Sequence, residues 1–279
     1  MTIWIAILLG IVQGIAEFLP ISSSGHLSLF QNLLGLNYSE EQNLFFTVLL
    51  HFGTLIAVIL SYWSDLRSMA RETVEYVKNR GKGDSAQTPA VRKLLLVIIG
   101  TLPLVLILPI HNAVEGLFSN TLFVGLALIV TGFILLLTDR ITNGTKNAKT
   151  VTIGDALLIG LGQAVAVLPG VSRSGTTTAV ALCQGANREF AVNYSFLLSI
   201  PAVLGSFVLS LYKAFKAGVD WSLMPMYLVG MLVAALVGLV AIQIMRRVVR
   251  KAKLCWFSYY LWGVGALTLI LSLLKVLQN

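Results

Sequence analysis

Two short stretches of the chain hold most of the residue types that could do chemistry. Residues 13–26 read QGIAEFLPISSSGH and include Glu17 and His26, and residues 169–178 read PGVSRSGTTT and include Arg173. Together they offer a carboxylate, an imidazole, a guanidinium and several hydroxyl groups. This inventory is typical of a pocket that processes phosphate groups.

The first stretch predicts a catalytic face followed by a tight turn. Gln13 and Glu17 are four residues apart, so a helix places both side chains on one face. The serines and glycine after Pro20 allow the backbone to turn before a second helix starts near His26. Phosphoryl transfer needs an attacking group or a base that activates one. Ser23 and His26 could each serve; the sequence does not decide between them, and we favour His26 as the nucleophile or base.

The second stretch repeats the turn but carries a cation. Arg173 has a planar guanidinium that suits phosphate oxygens, and amide groups at helix starts favour anions. We therefore expect Glu17, Ser23, His26 and Arg173 to be catalytic. The expected phosphate-binding or substrate-binding residues are Gln13, Ser22, Ser24, Gly25, Ser172, Ser174, Gly175 and Thr176. The hydroxyl groups among them could equally cap the two helices.

A metal ion in this pocket would be a hard divalent cation. Glu17 is the expected ligand, with Gln13 as a second candidate, and oxygen ligands of this kind suit Mg²⁺ or Ca²⁺. The cation would bridge phosphate oxygens. Zinc is disfavoured because the stretch lacks the spacing of Cys and His ligands.

Composition excludes a water-soluble globule. Of the 279 residues, 57% are hydrophobic and only 11% are charged, against about 25% charged in soluble domains. We predict an all-α integral membrane protein with a single polytopic membrane domain over residues 1–279. Six stretches are long and apolar enough to cross a bilayer: 43–63, 94–109, 117–138, 190–211, 224–245 and 256–274.

Two further apolar segments, 3–34 and 153–183, are interrupted by proline, glycine and hydroxyl residues, and they align with each other. At an offset of 150, Gly10, Gln13, Ala16, Ser22, Ser24 and Gly25 match Gly160, Gln163, Ala166, Ser172, Ser174 and Gly175. We interpret this as a duplication, with repeat one at about 1–140 and repeat two at about 150–279. Each repeat then has one re-entrant broken segment and three spans, so the two halves have opposite orientations.

The basic residues follow the topology that this arrangement predicts. With both broken segments re-entrant, 16 of the 20 Lys and Arg lie on one face, which the positive-inside rule assigns to the cytoplasm. The formal charge of +8 is therefore a topology signal and not a sign of nucleic-acid binding. Both termini and the active site are expected to face outward, toward the periplasm.

The two motifs closely resemble those of the bacterial undecaprenyl-diphosphate phosphatase family linked to bacitracin resistance. The resemblance covers essentially the whole chain. It implies a divalent-cation-dependent hydrolase in the bacterial inner membrane that converts undecaprenyl diphosphate to undecaprenyl phosphate and inorganic phosphate. Such an enzyme recycles the carrier lipid of peptidoglycan synthesis. The family admits Glu or Gln at the position of Gln13, and the resemblance implies that Glu17 is the essential acid and Arg173 the phosphate clamp.

The residues also allow a second class of function. Inverted repeats with paired broken helices are typical of secondary transporters, so the alternative is a polyprenyl-phosphate flippase or an anion or lipid transporter. Besides the polyprenyl diphosphate, the expected partners are membrane lipids; a homodimer is compatible with the sequence, which does not fix the oligomeric state.

Three features outside the motifs receive structural interpretations. His51 lies within the first span and is expected to be a hydrogen-bonded helix contact near the pocket, and not a catalyst. Asp155 is expected to cap the first helix of the second broken segment. Gly230, Ala234 and Gly238 are spaced four residues apart and predict close packing between helices.

Overall fold

The fold is known from a computed structural model, which describes residues 2–33, 40–79, 88–141, 144–217, 221–250 and 254–274. These residues form helices joined by short connections and contain no β-strand. The α-helices are α1 Ile3–Ala16, α2 Ser23–Leu33, α3 Glu40–Ser61, α4 Trp63–Lys78, α5 Pro89–Thr101, α6 His111–Gly116, α7 Thr121–Asp139, α8 Ile153–Val165, α9 Arg173–Cys183, α10 Arg188–Ala217, α11 Met224–Arg250 and α12 Cys255–Leu273. Short 3₁₀ helices cover Leu102–Ile110, Leu117–Ser119 and Trp221–Leu223.

The described helices confirm an all-α membrane protein. Five helical stretches are long and apolar enough to cross a bilayer: Pro89–Ser119, Thr121–Asp139, Arg188–Lys213, Trp221–Val249 and Cys255–Leu273. A sixth, Phe45–Ser61, meets the same test only together with Trp63–Lys78, from which it is bent by 71°. The six predicted spans therefore correspond to α3, α5 with its 3₁₀ extension, α7, α10, α11 and α12.

The second of these spans changes its helix type midway. After α5 the backbone continues as a 3₁₀ helix over Leu102–Ile110, a stretch that includes Pro103 and Pro109. Proline has no backbone N–H and cannot complete the α-helical hydrogen bond to the residue four before it. The sequence predicted this span at 94–109, and the structure extends its helical part in both directions.

The two broken segments form helical hairpins. In the first, α1 packs against α2, and in the second α8 packs against α9. α1 and α8 have 14 and 13 residues, so each is about 20 Å long and shorter than the hydrocarbon core. Asp155 caps α8 as predicted, because its carboxylate accepts from the Thr152 backbone N–H at 2.8 Å in a capping box.

The two hairpins make matching contacts with helices from the opposite half of the chain. A Cβ added at Gly10 of α1 would lie 2.6 Å from the Gly230 carbonyl oxygen in α11, and one at Gly160 of α8 would lie 2.2 Å from the Gly100 carbonyl oxygen in α5. Each broken segment therefore packs, backbone against backbone, on a span of the other half. The predicted close packing at Gly230 is confirmed, and the boundaries of the two repeats stay a prediction.

The bundle exposes large apolar side chains and buries a group of polar residues within an otherwise apolar interior. Large apolar side chains such as Leu106 and Leu236 are exposed, whereas Gln13, Thr131 and Thr177 are buried. An apolar outer surface suits a protein that contacts lipid. Polar groups are placed inside, where they can bond to one another, because lipid offers them no hydrogen-bond partners.

Candidate active site

Glu17 lies where α1 ends, at the start of the first break. Its backbone N–H donates to the Gln13 carbonyl at 2.9 Å, and its side chain is only 8% exposed. Gln13 lies one turn earlier, and its Nε2 donates to Glu17 Oε2 at 3.0 Å. The predicted pairing of these two side chains on one helical face is therefore present.

Ser23 is brought to the same carboxylate by the turn that starts α2. Its hydroxyl donates to Glu17 Oε2 at 2.7 Å. The preceding residue, Ser22, has φ of 69°, a left-handed conformation that is uncommon for residues other than glycine. Ser22 Oγ also accepts from the Gly25 N–H at 3.3 Å. The chain therefore reverses at Ser22, and the first residue of the new helix faces back to Glu17.

Arg173 reaches Glu17 from the other broken segment. It is the first residue of α9, and its Nη2 donates to Glu17 Oε1. Its Nη1 lies 3.5 Å from the Ser195 carbonyl oxygen in α10. A residue in each half of the chain thus contributes one member of an ion pair whose carboxylate is buried and whose guanidinium side chain is 16% exposed, and the two breaks meet there.

Backbone contacts between the two breaks support this ion pair. The Gly170 N–H lies 3.4 Å from Ser24 Oγ, and Ser174 Oγ lies 3.4 Å from the Leu19 carbonyl oxygen. A Cβ at Gly25 would lie 3.2 Å from Gly170 Cα, so a side chain at Gly25 would press the two turns apart, whereas one at Gly170 would meet the Val124 carbonyl oxygen in α7 at 2.6 Å. Gly170 also has a positive φ of 89°.

The hydroxyl residues of the two turns fall into two groups, those that are buried and those that are partly exposed. Ser172 acts as the N-cap of α9, because its Oγ accepts from the Gly175 N–H at 3.2 Å, as Ser22 does for α2. Thr176 Oγ1 is buried with no hydrogen-bond partner among the described residues. Ser23 and Ser24 are only partly buried, so their hydroxyl groups are the more accessible to a ligand.

The two histidines near the first break have different surroundings. His51 Nε2 lies 3.6 Å from Glu17 Oε2, and its Nδ1 is 2.8 Å from the Thr47 carbonyl oxygen. His51 is therefore a hydrogen-bonded helix contact near the pocket, as the sequence predicted, and its exclusion from catalysis stays a prediction. His26 lies apart from the carboxylate, with its ring nitrogens 2.9 Å from the Ser22 carbonyl oxygen and 2.7 Å from the Tyr260 hydroxyl.

The sequence as a whole matches a known family. A family model described as bacitracin resistance protein BacA matches residues 6–267. This chain belongs to the BacA family. Its curated relatives include proteins named undecaprenyl-diphosphatase from Alkaliphilus metalliredigens, 39% identical over 98% of this chain and 100% of the relative, and from Carboxydothermus hydrogenoformans, 41% identical over 96% of each. A protein of the same name from Methanobrevibacter smithii is 40% identical over 96% of this chain and 97% of the relative. The family resemblance carried by the two motifs is confirmed.

The donor set of this BacA member suits a hard cation that is shared with a phosphate ligand. Within the described ranges no group of three or more His, Cys, Asp or Glu could hold a metal. Glu17 supplies a carboxylate, Ser23 a hydroxyl oxygen, and Gln13 Oε1 is buried without a hydrogen-bond partner. Mg²⁺ commonly takes one or two carboxylates and completes its shell with water and substrate phosphates. The residues therefore fit a cation that binds together with a diphosphate.

Three contributors to this BacA site were not found from the sequence. The Ser195 carbonyl contacts Arg173, and the Thr131 hydroxyl bonds to both the Gly170 carbonyl at 3.1 Å and the Ser172 N–H at 3.3 Å. The third is Tyr260, which contacts His26. Hydroxyl residues in apolar spans could have drawn attention to Thr131 and Tyr260, because polar groups at membrane depth need partners, but nothing local identifies those partners.

The buried ion pair predicts a specific pattern of stability. Replacing Glu17 or Arg173 by Gln leaves the partner charge unpaired, so each single variant should lose about 3–5 kcal/mol of unfolding free energy. The double variant Glu17→Gln with Arg173→Gln should lose less than either single variant, because no charge remains. Unfolding by sodium dodecyl sulfate in mixed micelles measures these differences.

An exposed ion pair provides the control. Lys213 Nζ lies 2.8 Å from Glu115 Oε1, and both side chains are more than one-third exposed, so Lys213→Gln should cost less than about 1 kcal/mol. Additive losses in the Glu17 and Arg173 double variant would contradict direct pairing of the two charges.

Proposed function

We propose that this protein hydrolyses undecaprenyl diphosphate to undecaprenyl phosphate and inorganic phosphate. The observation that carries the proposal is the joining of Glu17, Ser23 and Arg173 at one point by two separate broken helices. The name shared by the relatives supplies the substrate. A carrier that only moved anions would need the arginine and the helix starts, but not a hydroxyl group bonded to a carboxylate.

Arg173 is the proposed clamp for the terminal phosphate. Its guanidinium is held between the Glu17 carboxylate and the Ser195 carbonyl, so its plane is fixed before substrate arrives. Arginine can present two parallel N–H donors to phosphate oxygens. The Ser24 hydroxyl, which is partly exposed at the meeting of the two turns, would add a further donor to the same phosphate.

Ser23 is the proposed attacking group. Its hydroxyl already donates to Glu17 at 2.7 Å, whereas both ring nitrogens of His26 are bonded elsewhere. The Ser23 oxygen would attack the terminal phosphorus while its proton passes to Glu17, and the bond from phosphorus to the bridging oxygen would break to release undecaprenyl phosphate. A water molecule would then attack the phosphoserine phosphorus, the proton on Glu17 would return to the Ser23 oxygen as its bond to phosphorus breaks, and both hydrogens of the water would leave with inorganic phosphate.

A divalent cation, Mg²⁺ or Ca²⁺, is part of this proposal. Glu17 and the Gln13 amide oxygen would hold it. When bound, the cation would neutralise negative charge on the diphosphate oxygens. Gln13 is well placed for this role, because its Oε1 is buried and has no partner within the described residues.

The proposed cellular setting is the bacterial cytoplasmic membrane, with the site open to the outer side. The carrier lipid of cell-wall synthesis would be recycled there, and rapid removal of its diphosphate form would confer bacitracin resistance. The arrangement of the basic residues supports this orientation, because 16 of the 20 Lys and Arg would face the cytoplasm. The polyprenyl chain would leave the site sideways, between helices, into lipid.

The catalytic proposal predicts large losses of turnover. Ser23→Ala, Glu17→Gln and Arg173→Ala should each lower the rate of phosphate release from undecaprenyl diphosphate at least about 100-fold, the scale for a lost acid, base or electrostatic group. Ser28→Ala is the matched control, since Ser28 lies in the same helix and donates instead to the Phe118 carbonyl.

Lipid transport by the wild-type protein in liposomes is measured beside phosphate release. Transport without release would favour the flippase alternative.

The cation proposal predicts a response to an added carboxylate. Protein dialysed against EDTA should be inactive and should recover with Mg²⁺ or Ca²⁺. Gln13→Glu should stay active and need less cation for half-maximal rate, because a second carboxylate would join the site. Gln31→Glu is a change of the same type beside Thr47. It should leave the cation concentration that gives the half-maximal rate unchanged. Full activity in EDTA would remove the cation from the proposal.

The orientation predicts the side from which the site can be labelled. In a background without Cys183 and Cys255, Ser24→Cys should react with a membrane-impermeant thiol reagent in intact spheroplasts. Lys149→Cys, in a connection that should face the cytoplasm, should react only after the cells are opened. The opposite pattern would reverse the topology inferred from the basic residues.

A further inference from the structure

His26 is held at both of its ring nitrogens. Nδ1 lies 2.9 Å from the Ser22 carbonyl oxygen, and Nε2 lies 2.7 Å from the Tyr260 hydroxyl. A carbonyl oxygen can only accept, so Nδ1 must carry a proton. In the neutral ring Nε2 then accepts, and Tyr260 is the donor. The geometry therefore fixes one tautomer of His26.

Tyr260 comes from the last helix of the fold and lies at its edge. It belongs to α12, 234 residues after His26, and it is 45% exposed. Its ring stacks on the imidazole with 10° between the planes. Its hydroxyl points inward to His26, as expected for a polar group that needs a partner in apolar surroundings.

The atom that His26 holds belongs to the strained residue of the first break. Ser22 has a left-handed φ of 69°, a conformation that carries an energetic cost for a residue with a Cβ. Its carbonyl also accepts from the His26 backbone N–H at 3.1 Å. The imidazole thus adds a second hydrogen bond to the Ser22 carbonyl. The direction of this carbonyl fixes how the backbone enters Ser23.

The second broken segment restarts its helix with the same serine cap but without this bond. Ser172 corresponds to Ser22 and caps its helix in the same way, but its φ is −76°. Thr176 occupies the position of His26, and its hydroxyl has no partner among the described residues. The left-handed Ser22 and the bond from His26 to its carbonyl therefore occur together in the half that carries the proposed attacking hydroxyl. The other half has neither.

We propose that Tyr260 and His26 form a positioning pair, in which Tyr260 holds the imidazole and the imidazole holds the Ser22 carbonyl so that Ser23 faces Glu17. The pair acts through Ser22 and does not touch the reacting atoms. Its effect on turnover rests on the proposed function, whereas the pair itself is a property of the folded protein.

The tautomer of His26 tests the pair without any substrate. The chain has three histidines, so ¹⁵N-histidine labelling in micelles gives few signals, and His26→Asn assigns that of His26. The expected ring is protonated at Nδ1 and unprotonated at Nε2. In Tyr260→Phe the Nε2 signal should move toward that of a ring nitrogen without a hydrogen bond, and Tyr259→Phe, whose hydroxyl bonds to no described residue, should leave it unchanged. A ring protonated at Nε2 would overturn the proposal.

Substitutions that copy one ring nitrogen test the positioning role. The side-chain nitrogen of Asn is as many bonds from the backbone as Nδ1, and that of Gln as many as Nε2. His26→Asn should therefore keep turnover within about tenfold of wild type, while His26→Gln should lose at least about 100-fold. Tyr260→Phe should lower kcat about tenfold with KM unchanged, and should cost nothing further in the His26→Asn protein.

The outcomes separate the two proposals. Equal inactivity of His26→Asn and His26→Gln, in proteins that unfold at the wild-type temperature, would mean that the imidazole takes part in the chemistry and would overturn the positioning role. A wild-type protein that releases no phosphate but shows the expected tautomer would contradict the proposed function and support the pair.

Discussion

The bond between Glu17 and Arg173 is the interaction on which the rest of the site depends. Each charge alone would be costly at membrane depth, and each comes from a helix too short to cross the bilayer. Bringing them together requires both broken segments to turn between their short helices, which exposes backbone groups that need partners. The serine caps bond to the Gly25 and Gly175 N–H groups, and the Thr131 hydroxyl bonds to the Gly170 carbonyl and the Ser172 N–H, so the polar groups of both turns find partners within the protein.

The local part of this site could be predicted from the sequence, because the residues that interact there lie within a few positions of one another. Helical spacing placed Gln13 beside Glu17, and the repeated Ser-x-Ser-Gly pattern indicated where both helices restart. The spans also followed from apolar length. The bend of 71° after α3 and the 3₁₀ stretch within the second span were not predicted, because apolar composition carries little information about helix direction or type.

The long-range part could not be predicted, and His26 shows why. Its type and neighbours suggested a nucleophile or base, but its environment depends on a tyrosine near the other end of the chain. Tyr260 lies in a span whose composition predicts only lipid contact. The side of α12 that faces α2 is set by packing among several helices, and one sequence does not determine that packing. For the same reason His51 was expected near the pocket, while its distance from Glu17 was not.

The two hairpins make matching contacts but carry opposite charges, Glu17 in the first and Arg173 in the second. At an offset of 150, Glu17 is opposite Val167 and Ser23 is opposite Arg173. A symmetric assembly of two first halves would therefore place two carboxylates near the axis without a cation, and two second halves would place two guanidiniums there without an anion. The salt bridge can form only between unlike copies. If the two halves are the duplicated copies that the sequence predicts, carrying both on one polypeptide lets each keep a different charge.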